Sequence, residues 1–224
     1  DIDAFAAGVD LVTNCLFQGI VITCYKTSTF GFGDNCDVAF NRCRFLANNS
    51  SCVGTWTGMF ATSGRLLLDG CEFSATPATI YFTGESQVVT NTVRNCLFTR
   101  NLDLSFSGIF NYRTAHPLFM TGTTFRHNYI ASWNAYHDPV IGFNHSKAVA
   151  WIEDCTLENS LVMESTYAPI MIYSGKAFFN RCRFIGNTYS GGDTTGKSGV
   201  FNCLDYRGYF RDCLFQGNRS MTKK

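Results

Sequence analysis

The sequence predicts an all-β chain wound as a parallel β-helix, a solenoid of about eight coils forming one domain over residues 1–224. Three observations predict it. A cysteine phrase recurs along the chain, the parity inside that phrase demands a bend, and the composition lacks helical stripes. The phrase runs apolar, two residues, Cys, any residue, Phe. Its copies are VTNCLF (12–17), FNRCRF (40–45), LDGCEF (68–73), VRNCLF (93–98), IEDCTL (152–157), FNRCRF (179–184) and FRDCLF (210–215), with MTGTTF (120–125) carrying Thr123 in the cysteine slot. Spacings between slots are 28, 28, 25, 27, 32, 27 and 31 residues, and a period of roughly 20–50 residues marks a solenoid or array.

Parity sets the local structure. Cys and Phe lie two apart and share one face of a strand, whereas the apolar slot lies three before Cys. A straight strand cannot turn all three inward, so a tight bend separates the apolar slot from Cys. The residue before the slot is Asn14, Arg42, Gly70, Asn95, Gly122, Asp154, Arg181 or Asp212; Asn, Asp and Gly tolerate the left-handed backbone such a bend uses. Short apolar runs precede many phrases, as in GMFA (58–61), GIFN (108–111), PVIGF (139–143), PIMIY (169–173) and GVFN (199–202). The expectation is three strands per turn.

Stacked coils put like above like. A Cys/Thr column and a Phe column (Phe17, Phe45, Phe73, Phe98, Phe125, Leu157, Phe184, Phe215) follow from the repeat. Three residues past the Phe slot stands Asn48, Asn101, Asn128, Asn187 or Asn218, a column whose amides can satisfy the turns and each other.

The Cys-x-Phe-x-x-Asn run, as in CRFLAN, CLFTRN, CRFIGN and CLFQGN, resembles the repeats of polymorphic outer membrane proteins, over about residues 10–218. The Gly-Gly-Ala-Ile phrase that accompanies it in that family is echoed by SGIF (107–110) and SGVF (198–201). The resemblance implies a right-handed β-helix of the pectin-lyase-like class. It also implies an extracellular or cell-surface setting and an adhesive role.

Charge is balanced, with 18 basic against 17 acidic residues, so nothing steers the chain toward nucleic acid. No apolar run reaches the ~20 residues of a membrane-spanning helix, and direct membrane insertion is not expected. The column cysteines read as small buried thiols, because parallel in-register neighbours give poor disulfide geometry. Cys24 and Cys52 each follow a column cysteine by nine residues and are the candidate disulfide. No metal ligand set and no cofactor is expected. Asn48 and Asn218 fit the interior column, which leaves Asn49 and Asn144 as candidate N-glycosylation sites.

Two long connections, 126–151 and 185–209, offer room for a binding face. The first carries Trp133, Tyr136, His137 and Asp138, the candidate ligand-binding cluster, since a ring stacks on a pyranose and a carboxylate accepts its hydroxyls. The competing reading packs those rings on the helix wall. The second spells Gly191 to Ser198 in the pattern of a phosphate-binding loop, but that motif needs a strand before it and a helix after it, and a strand pattern follows. No acid–base pair of the kind that cleaves polysaccharides assembles, so no catalytic residue is named. Asp154, Arg181 and Asp212 form a candidate surface charge column, and His116, His127, His137 and His145 read as solvated or local hydrogen-bonders. Neither end carries a capping helix, so the ends are expected to meet further coils of the same polypeptide or other subunits. The expected function is a non-enzymatic structural or adhesive module of a surface assembly; the alternative is a carbohydrate-binding or polysaccharide-degrading β-helix.

Overall fold

The computed structural model describes residues 8–18, 21–22, 30–32, 36–47, 49–50, 60–62, 64–76, 80–82, 89–103, 108–131, 139–163, 168–190, 201–203 and 207–221. Among them every regular element is a strand, and every strand pairing is parallel, one repeat apart. The chain is a parallel β-solenoid.

The eight phrases each supply one strand after the bend, and these stack into one eight-stranded sheet from Leu16–Gln18 to Leu214–Gln216. The strands before the bend stack in the same order, from Gly8–Thr13 to Arg207–Arg211. Their ladder merges with that of the short apolar runs (Phe60–Thr62, Ile80–Phe82, Phe110–Tyr112), because Ile141–Glu153 and Ile170–Asn180 run through the corner as single strands.

Among the described residues, seven of the eight repeats carry a further short strand beyond the three expected per turn. Leu102–Asp103, Tyr129–Ala131, Leu161–Met163, Thr188–Ser190 and Arg219–Ser220 form a five-stranded sheet just past the Asn column. Two or three residues of changing type cannot show an alternation, so these strands leave no readable period.

The predicted bend is present in all eight copies. Asn14, Arg42, Gly70, Asn95, Gly122, Asp154, Arg181 and Asp212 all have φ between 52° and 62°. Each bend is closed by the slot itself. The thiol donates to the carbonyl two residues back, at 3.2 Å in Cys96 and Cys155 and 3.4 Å in Cys182, and the Thr123 hydroxyl does the same at 3.1 Å. The slot therefore selects a small side chain with a proton to give, which is why threonine replaces cysteine there. All seven column cysteines are free thiols.

A second left-handed bend, unforeseen, precedes the Asn column at Ala47, Ala75, Arg100, His127, Asn159, Gly186 and Gly217. Alanine and arginine have no special liking for that conformation, whereas histidine, asparagine and glycine do, so the mixed composition of the column hides it. The Asn column then pins it. Asn101 accepts from the Thr76 amide at 3.0 Å and donates to the Phe73 carbonyl at 3.2 Å. Asn128 repeats this with the Asn101 amide and the Phe98 carbonyl, and Asn187 with the Ser160 amide and the Leu157 carbonyl.

The core lies between the sheets. Phe45, Phe73, Phe98 and Phe125 stack with centroids 4.6, 4.7 and 4.5 Å apart. Leu157 interrupts the pile before Phe184 stacks on Phe215 at 4.8 Å. The apolar slot residues Phe40, Leu68, Val93, Met120, Ile152 and Phe179 are buried opposite them.

One histidine departs from expectation. His116 is buried beside an internal polar group, in which the Asn91 amide donates to the Tyr112 hydroxyl and that hydroxyl donates to the His116 carbonyl. His127 is exposed in a second bend, and His145 accepts from the Lys147 amide.

Candidate functional site

Four before each slot the parity is reversed, so the side chain points out of the sheet. Those positions are Leu11, Ala39, Leu67, Thr92, Phe119, Trp151, Phe178 and Tyr209, and each is registered against the next. The outward column is thus apolar at seven of eight rungs, and aromatic over the last four.

The four rings pile along the solenoid axis. Phe119 lies 4.8 Å from Trp151, Trp151 6.1 Å from Phe178, and Phe178 4.6 Å from Tyr209, all within 13° of coplanar. Phe119 is 42 % exposed and Trp151 and Tyr209 39 % each. Because the rings face one another, the column offers solvent their edges and keeps their faces. A pyranose stacks on a ring face, so this surface favours flat apolar contact over sugar stacking.

Charges border the column and are largely paired across rungs. Arg65 bonds Asp37, Arg94 bonds Asp69 at 3.0 Å and Arg44 bonds Glu72 at 2.8 Å. Arg181 grips Asp154 with two bonds of 2.8 Å and reaches Glu153 at 2.8 Å. The guanidinium beside each holds the Asp37 and Asp154 carboxyls below the usual carboxylate range. Asp212 bonds its neighbour Arg211, so the expected three-residue charge column is realised only as the Asp154–Arg181 pair. Exposed pairs of this kind contribute about 0–1 kcal/mol each; Asp37, Arg65, Asp69 and Arg94 flank the smaller residues of the column, and Arg181 with Glu153 flanks its aromatic part.

A second unusual surface is the rung 207–221. Phe210 is 41 % and Phe215 49 % exposed, although the same columns are buried one rung earlier at Phe179 and Phe184. The apolar and Asn columns run to this rung unchanged in type, with Asn218 accepting from the Asn187 amide and donating to the Phe184 carbonyl.

Trp133, Tyr136, His137, Asp138, Cys24 and Cys52 lie outside the described residues, as does the run from Gly191 to Ser198. Asn144 is half-buried in Ile141–Glu153, where the register shifts, and Asn49 lies in the strand Asn49–Ser50 that pairs with Val21–Ile22. Among the described residues no group of three or more His, Cys, Asp and Glu side chains gathers to hold a metal, and no helix is long and apolar enough to cross a membrane. The outward column is legible in the repeat, since Phe119, Trp151, Phe178 and Tyr209 share one offset from the slot. No protein-family model, curated protein or solved structure matches the chain.

Proposed function

We propose that the chain is a non-enzymatic structural or adhesive module of a cell-surface or extracellular assembly, acting as a rigid rod. The observation that carries this reading is the continuity of the interior columns to an exposed rung. Phe210, Leu214 and Phe215 stand open where every earlier described rung from 36–47 onward is covered by the next. A strand edge with apolar columns in register is a template for another parallel rung, supplied by further coils or by another subunit. The buried Asn and thiol columns support rigidity, because sliding a coil would leave amides and carbonyls unpaired. The likeness of the repeats to those of polymorphic outer membrane proteins supports the surface setting.

Light scattering over a concentration series tests it. The expected outcome is a mass that keeps growing with concentration, because head-to-tail contacts do not close; in Phe215→Asp that open-ended growth is lost. A chain whose mass never grows, and which takes up no partner at that rung, overturns the reading.

A further inference from the structure

We propose that the outward column is a self-docking face, on which a second copy of this chain lies antiparallel. This goes beyond the rod reading and uses a different surface from the exposed rung.

The column is graded. Leu11, Ala39, Leu67 and Thr92 occupy the first four rungs, and Phe119, Trp151, Phe178 and Tyr209 the last four. Over these eight rungs the column therefore presents a low half and a high half. A two-fold axis along the strand direction, between the fourth and fifth rungs, reverses the order of rungs in the second copy. It sets Tyr209 against the partner's Leu11, Phe178 against the partner's Ala39, Trp151 against the partner's Leu67, and Phe119 against the partner's Thr92. Every pair then joins one ring to one smaller side chain, so the two faces meet at even depth. A parallel arrangement sets ring on ring at one end and leaves a gap at the other.

Area agrees with that choice, and charge is neutral to it. The residue six before the slot is Asp37 in the second rung and Lys176 in the seventh, and the axis places them opposite each other, with Asp37 already holding Arg65. Asp69 meets the partner's Glu153, but these acids already hold Arg94 and Arg181. Eight rungs at ~4.8 Å by five residues at ~3.3 Å span roughly 600 Å² per copy, about 1,200 Å² for the pair, the lower bound for a stable interface. The ring edges exposed by the column suit a flat protein face; a glycan would require ring faces.

The test uses the Phe215→Asp chain, in which growth from the exposed rung is silenced. The expected mass is twice the 25.0 kDa chain and stops there, because a two-fold contact closes on itself. Trp151→Lys in that background restores the single-chain mass. Leu67→Lys, three rungs away, does the same, because Leu67 lies on the same face opposite the partner's Trp151. In mixtures, Leu67→Cys chains cross-link to Trp151→Cys chains above the level of either variant alone. A Phe215→Asp chain that is monomeric at all concentrations overturns the proposal while leaving wild-type growth, and with it the rod reading, intact. Self-cross-linking of Trp151→Cys alone overturns the antiparallel register, and capture of a glycan by a monomeric chain, lost in Trp151→Lys, overturns self-docking.

Discussion

Asn128 shows how much one side chain can carry in a solenoid. Its carboxamide oxygen accepts from the Asn101 amide at 3.1 Å and its nitrogen donates to the Phe98 carbonyl at 3.0 Å, both in the interior. One residue thus satisfies a turn in its own column and a carbonyl in the coil before it. Asn128→Leu keeps the volume and strands both partners, each costing about 1–3 kcal/mol, so a loss of roughly 2–5 kcal/mol is expected from the urea midpoint. Ser160→Ala removes one buried acceptor, used by the Asn128 amide at 3.3 Å, and a donor to the part-buried Glu158 carbonyl, and costs about 1 kcal/mol. Equal effects from the two substitutions would show that the carboxamide is a filler and not the pin of the turn. The Asn column was legible in the sequence because Asn recurs at one offset from Phe. Its substitutes, Thr76 and Ser160, were not, since only the geometry shows a hydroxyl standing where an amide stands elsewhere.

Cysteine, read from the sequence as a small apolar filler, is in the structure an element of the bend, and the column of thiols behaves as one unit. In two neighbouring pairs a thiol–thiol bond pushes one member up, Cys96 or Cys155, and the other down, Cys71 or Cys182. Within each pair one proton is held between the two sulfurs, and burial disfavours the thiolate in all four. Burial also pushes Cys43 and Cys213 up. The folded chain therefore holds thiol protons that the unfolded chain releases near the ordinary thiol pKa of about 8.5. With more protons bound in the folded state, stability falls as pH rises. The stabilisation is complete below about pH 8 and declines from about pH 9 upward. Urea midpoints at pH 7, 9 and 10 read this; a flat series would mean the thiols are solvated. The same burial predicts that thiol reagents label half-buried Cys15 and Cys213 before the five buried members of the column. The bend that places these thiols was legible, because six of its eight residues are Asn, Asp or Gly. The second bend was not, because Ala47, Ala75 and Arg100, held in the left-handed region by neighbouring coils against their own preference, break the run of His, Asn and Gly at the other four positions.

At the scale of the molecule, each rung touches only the rungs on either side, so stability should vary along the rod. The rungs at 117–131 and 149–163 are paired on both sides in every sheet they enter, whereas the strands Gly8–Thr13, Leu16–Gln18, Arg207–Arg211 and Leu214–Gln216 are paired on one side among the described residues. In such quasi-one-dimensional folds the stability of a unit is its own plus that of its interfaces, and local opening exposes amides without global unfolding. Amide exchange should be slowest in 117–131 and 149–163 and quicken toward 8–18 and 207–221. The measurement belongs in the doubly substituted chain, Phe215→Asp with Trp151→Lys, where contacts at the exposed rung and on the outward face are both removed. The rung at 8–18 carries no substitution and gives the cleaner comparison. A gradient there would establish that cohesion passes from rung to rung, which is the property a spacer needs if strain at one point is to stay local. Uniform protection from 8–18 to 149–163 would show instead that the interior Phe, Asn and thiol columns couple all rungs into one cooperative unit.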